Sequence, residues 1–200
     1  MAARRPRITA RQLDRAARAD RRDLRESLHG RRGLPPHLYA RKFPERVRGN
    51  PYWRAAQRAL QRHPGVAAYF SKRGDSGAAW RDLNVLYCPA PVDAWGCAVF
   101  FHELHHLLTP RQTPRYLEEL DADLYGFRIA TQLLGNQRMP RWLRKRLSDH
   151  LHRALEKAIR RGLRAVHPRA KRFLPVESRE RLERMIRRTP RRHTQRVRAR

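Results

Sequence analysis

Only two cysteines, Cys88 and Cys97, occur in 200 residues. That is too few for a disulfide framework, and their spacing is not that of a paired metal motif, so both read as reduced, buried small side chains. No apolar run approaches the roughly 20 residues needed to cross a bilayer, and none follows the basic start Met1-Ala2-Ala3-Arg4-Arg5-Pro6-Arg7. Neither a membrane span nor a signal peptide is therefore expected, and the chain reads as cytoplasmic. Acids are scarce, 18 Asp and Glu against 47 Lys and Arg, for a formal net charge of +29. Lysine is scarce too, confined to Lys42, Lys72, Lys145, Lys157 and Lys171, so arginine carries nearly all of this charge. A chain of this kind is expected to associate nonspecifically with polyanions, nucleic acid first among them.

The charge is uneven. From Asp82 to Gln137 the acids Asp82, Asp93, Glu103, Glu118, Glu119, Asp121 and Asp123 outnumber Arg111, Arg115 and Arg128. The arginines crowd the flanks. This predicts a basic helical N-terminal extension over residues 1–62, a compact core domain over 63–165, and a basic helical or disordered tail over 166–200.

Local patterning predicts an α+β chain that is mostly helical. Thr9 can cap a sparse helix ending at Gly30, and residues 31–49, with Pro35, Pro36 and Pro44, read as a connecting loop. Asn50-Pro51 starts a helix over Tyr52–Gln61. Residues 66–70 and 83–88 read as short strands separated by a glycine-containing turn over 71–77. Asp93 caps the next helix, which Thr109-Pro110 stops. Thr113-Pro114 starts another, ended by Gly135-Asn136. In the helix from Trp142 to about Gly162, Leu143, Leu147, Leu151, Leu155 and Ile159 form one stripe, read as core or, in a protein-partner module, as an interaction face. A charged helix over Val176–Arg188 and a basic tail from Arg191 complete the chain.

The helix after Asp93 contains Phe101-His102-Glu103-Leu104-His105-His106. His102 and His106 lie about one turn apart on one face, so both can reach one zinc ion at ~2.0–2.1 Å. Glu103 beside them can take a proton from a metal-bound water. His102 and His105 are also spaced to chelate, but His105 reads better as a rim or packing residue. A catalytic zinc takes three protein ligands, and Glu119 is the preferred third. Its i+4 neighbour Asp123 can accept the outer N–H of a ligand histidine, whereas the rival Glu118 has Ala122 at that position. His150 and His152 are further, less favoured candidates for the third ligand.

The run Asn84-Val85-Leu86-Tyr87-Cys88-Pro89, then Phe101-His102-Glu103-Leu104-His105-His106, then Tyr116-Leu117-Glu118-Glu119-Leu120-Asp121-Ala122-Asp123 and Leu133-Leu134-Gly135 resembles the metallopeptidase domain of ArdC-type antirestriction proteins of plasmids and phages. More distantly it is similar to the ImmA/IrrE peptidases. The resemblance covers about residues 66–135. It implies a zincin-like core of the gluzincin type, in which a small sheet lies beside the His-Glu-x-x-His helix and a Glu-bearing helix, with basic helices flanking it. By position it implies zinc bound by His102, His106 and Glu119, with Glu103 as general base acting on a peptide substrate. The single-stranded-DNA-binding domain of the ArdC-type proteins is not recognisable in residues 1–60.

The expected activity is hydrolysis of peptide bonds by a metal-activated water, near nucleic acid on a plasmid or phage element. The strand at Asn84–Cys88 is expected to hold an extended peptide by edge pairing. The alternative is a non-enzymatic, Arg-rich nucleic-acid-binding protein with a structural or vestigial zinc site. In that case Tyr39, Phe43, Tyr52 and Trp53 would stack on bases between phosphate-gripping arginines.

Overall fold

The computed structural model describes residues 33–71, 76–111, 114–136 and 138–188. The expected helix from Thr9 to Gly30, the cap at Thr113 and the tail from Arg191 lie outside them. The chain divides into two compact units, one up to Pro110 and one from Arg111.

The first unit begins with two short helices, α1 (Pro36–Lys42) and α2 (Pro44–Val47), where a loop was expected. Of the prolines that suggested a break, Pro36 and Pro44 occupy the first helical positions, where a missing N–H costs nothing and a fixed φ favours the helix, and Pro35 precedes the first of them as its cap. Helix α3 (Pro51–Arg62) follows as expected, with the Asn50 side chain accepting from the N–H groups of Tyr52 and Trp53 at 3.0 and 3.1 Å. The same side chain donates to Val92 O at 2.8 Å, tying the start of α3 to the turn before the next helix.

Three strands form one sheet in the order β1 (Ala67–Ser71), β3 (Val85–Pro89), β2 (Ala78–Trp80). Strand β3 is central, parallel to β1 and antiparallel to β2. Its five residues are all buried, which accounts for its unbroken apolar character. Two expectations need correction. The residues between the turn at 71–77 and the next strand, which were given no element, form a third strand, β2, which returns to β3 through a 3₁₀ turn (Arg81–Leu83) and Asn84, at φ 51°. The strand expected to offer a free edge is paired on both sides; among the described residues the outer strands are β2, paired only with β3, and β1, whose outer side is bridged at Phe70 by Leu34.

Helix α4 (Ala94–Leu108) is capped by Asp93, whose carboxylate accepts from Gly96 N–H at 2.7 Å. It packs on β3 and β2 and is flanked by α3. The core is aromatic. Tyr39 stacks on Trp53 at 5.6 Å, Trp53 meets Phe70 at 5.3 Å, and Phe70 meets Phe100 at 6.0 Å. Tyr39 and Trp53 are thus core residues, because ring faces already packed on one another are not open to nucleic-acid bases.

The second unit is helical. It comprises α5 (Arg115–Leu133), α6 (Arg141–Arg160), the short α7 (Pro168–Lys171) and α8 (Val176–Arg188). Helix α6 packs on both α5 and α8, and its stripe Leu143, Leu147, Leu151, Leu155 and Ile159 is buried. The stripe is core, which removes it as a partner-docking face. Polar ties hold the connection around α7: His167 N–H donates to Tyr116 Oη at 3.1 Å, and Arg169 pairs with Asp121. Among the described residues no helix is long and apolar enough to cross a membrane.

Both cysteines are buried and free. Burial pushes the Cys97 thiol up to about 12, with the Asp93 charge adding to it, and raises Cys88 well above its usual value, with Glu103 adding to it. In the native protein neither thiol should react with a disulfide reagent at about pH 8, and both should react once the chain is unfolded; a thiol that titrates rapidly in the native state would contradict this burial. Replacing Asn50 by Ala should cost about 1–2 kcal/mol in urea denaturation, from the lost cap and the lost bond to Val92. An unchanged urea midpoint would mean that this tie does not hold α3 to the turn before α4.

Candidate metal centre

Helix α4 is apolar on nearly every side, yet it buries two groups of the motif: Glu103 is 7% and His106 6% exposed. His102 and His106 point their Nε2 atoms at each other at 3.0 Å, with ring centroids 4.7 Å apart. Two nitrogens bound to one tetrahedral zinc lie roughly 3.3 Å apart. The pair therefore stands within a few tenths of an ångström of ligand geometry. Protonation of both rings at Nδ1 would leave both Nε2 lone pairs free for a metal ion.

His105 is turned elsewhere. Thr109 donates its hydroxyl hydrogen to His105 O at 2.7 Å, so the 3.2 Å contact between His105 Nδ1 and Thr109 Oγ1 has the ring nitrogen as donor. That nitrogen is tied to the C-terminal end of the helix.

Glu103 meets the sheet at Gly77, the residue just before β2. A Cβ at Gly77 would lie 2.6 Å from Glu103 Cγ and Oε1. The backbone entering the edge strand thus runs directly along the carboxylate. The sequence reading missed both Gly77 and β2. The signal was present in the small residues Gly77-Ala78-Ala79 before Trp80, which let a backbone approach closely, but a three-residue strand carries too little periodicity to stand out.

On the second unit the acids of α5 separate. Glu118 is 4% exposed, while Glu119 is half-buried and accepts from Arg115 Nε–H at 3.1 Å. Asp123 is buried and accepts from His150 Nδ1–H at 2.8 Å. This carboxylate therefore orients the ring of His150, 27 residues away and on α6. His152 bonds Glu156 through Nε2 at 3.2 Å, and Glu156 also pairs with Arg181 at 2.9 Å.

Each unit thus brings together groups that could serve a metal ion: His102 and His106 in the first, and Asp123 with His150 in the second. Paired imidazoles suit first-row transition metals better than magnesium or calcium, which take oxygen ligands. Comparison with protein-family models, with curated proteins and with solved structures finds no match to this chain.

The close approach of Gly77 yields a direct test. Gly77→Ala should lower stability by about 1–3 kcal/mol, because the buried Glu103 side chain has little room to withdraw. In a Glu103→Ala background the same change should cost almost nothing. An equal cost in both backgrounds would show that Glu103 does not pack against this turn.

Proposed function

We propose that the chain is a zinc-dependent, metallopeptidase-like hydrolase of the zincin kind, with His102, His106 and Glu119 holding the metal. The observation that carries this reading is the facing pair of Nε2 atoms, 3.0 Å apart, with the buried Glu103 carboxylate on the adjacent residue of the same helix. A buried carboxylate and a buried histidine in an apolar helix cost free energy unless they have partners, and a metal centre with its water gives both a role. The resemblance of residues 66–135 to the ArdC-type metallopeptidase domain supports the same assignment.

When bound, zinc would polarise a carbonyl and lower the pKa of a water toward neutrality. The remaining roles belong to the chain. His102 and His106 would offer Nε2 as ligand atoms. A Glu103 carboxylate oxygen takes a proton from the attacking water and delivers it to the leaving amine nitrogen. The main chain of β2, beside Gly77, offers N–H and C=O groups for an extended peptide to pair with, which would fix the scissile bond along the Glu103 carboxylate. His150, oriented by Asp123, is the alternative third donor to Glu119. The arginine excess adds nonspecific attraction to nucleic acid, so that the substrate is a protein or peptide met near it.

Purified protein should contain about one zinc ion per chain. His102→Ala should lose it, and Glu103→Gln should keep it while peptide hydrolysis falls at least about a hundredfold. Glu119→Ala should weaken zinc affinity more than His150→Ala does; the reverse order would transfer the third ligand to His150. A folded wild-type protein that takes up no stoichiometric zinc would refute the site.

A further inference from the structure

The second unit contains a cavity of about 550 Å³ between the start of α5 and the C-terminal half of α6. That is the size of a site for a small ligand. Its floor includes the apolar side chains of Pro114, Ala154, Ala158 and Leu163. Its remaining lining is Tyr116, His150 and a group of cations, Arg153, Lys157 and Arg161 from α6 and its end and Arg115 from α5. Glu119 also lines the cavity, and Arg115 pairs with it at 3.1 Å, which leaves the other three cations in excess.

The geometry of these three cations is regular. They recur every four residues, so they form a row on one side of α6, about 12 Å long at a rise of 1.5 Å per residue. Among the described residues none of the three has an acidic partner within ion-pair distance. Elsewhere on the same unit basic groups do find acids, as Lys145 does with Asp149, Lys171 with Glu183 and Arg181 with Glu156. Unpaired like charges gathered around a concavity repel one another and favour an anion between them.

We propose that this cavity is a binding site for a phosphate-bearing ligand of nucleotide size. Arg153, Lys157 and Arg161 hold the phosphate oxygens, and the apolar floor meets the body of the ligand. Arginine offers a planar fork to phosphate and lysine a point charge, so the row suits one phosphate or successive phosphates of a strand. A free nucleotide and a nucleic-acid strand both present this chemistry, and the test below distinguishes them. The cavity shares Glu119 and His150 with the proposed metal centre, but the three cations of the row are no part of that centre, and the proposal goes beyond the hydrolase reading.

The test titrates the full-length protein with inorganic phosphate, AMP and a short oligothymidylate by calorimetry, in the presence of EDTA. AMP and the oligonucleotide should bind. The double variant Arg153→Glu/Lys157→Glu should weaken each by at least about tenfold. Arg141→Glu/Arg144→Glu, with the same charge change on exposed positions of α6 outside the cavity, should weaken them less than about twofold; thermal melts would show both variants folded. A steeper salt dependence for the oligonucleotide than for AMP would identify a strand as the source, and equal dependence a free nucleotide, each within the proposal. Equal weakening by both double variants would reduce the effect to overall charge and overturn the site. Absence of binding by all three probes would also overturn it, and so would binding seen only when EDTA is omitted, which would put the phosphate on a metal.

Discussion

Burial of Glu103 and His106 in an otherwise apolar helix is the constraint around which the first unit is built. Neither group can sit in a dry interior without hydrogen-bonding or coordinating partners. Helix α4 must nevertheless be apolar, because it lies on the fully buried β3 and is flanked by α3. The aromatic chain from Tyr39 through Trp53 and Phe70 to Phe100 supplies the packing that fixes the helix. Caps at Asn50 and Asp93 set where the helices begin, and therefore which face of α4 carries the histidines. Edge strand β2 then brings backbone against the Glu103 side chain, with no side chain at Gly77 to intervene.

The second unit solves a different problem. It carries a large excess of positive charge and has to form a core among arginines. A single apolar stripe on α6, five residues of Leu and Ile, supplies the buried surface between α5 and α8. Long cationic side chains are left to the other faces, where their stems cover apolar surface while the charges stay in water. The few acids are consequently placed with purpose: Asp121, Glu156 and Glu183 pair with basic groups of neighbouring elements, and Asp123 orients His150. Where the acids run out, around Arg153, Lys157 and Arg161, the uncompensated charge is available to a ligand.

Local physics was legible in the sequence. The helix starts at Asn50 and Asp93, the stop at Thr109 and the stripe of α6 depend on residues within a few positions of each other, and they stand where the patterning put them. The His102–His106 juxtaposition follows from helical periodicity in the same way. What depended on distant pairing was not legible. Whether β3 is an edge or a centre is decided by partners on both sides, and β2 is too short to show a period. The bond from His150 to Asp123 joins residues on different helices, so its pairing is not encoded in any local spacing. Residues 36–47 were misread because proline was taken as a breaker where it initiates.

The central claim is that the paired imidazoles of α4 coordinate a metal together with a carboxylate. X-ray absorption at the zinc edge of the metal-loaded full-length protein tests it directly. The account predicts nitrogen and oxygen scatterers at ~2.0–2.1 Å with outer-shell features of two imidazoles, no sulfur at ~2.3 Å, and loss of one imidazole in His106→Ala. A spectrum with sulfur ligation, or one unchanged by removal of His106, would contradict it.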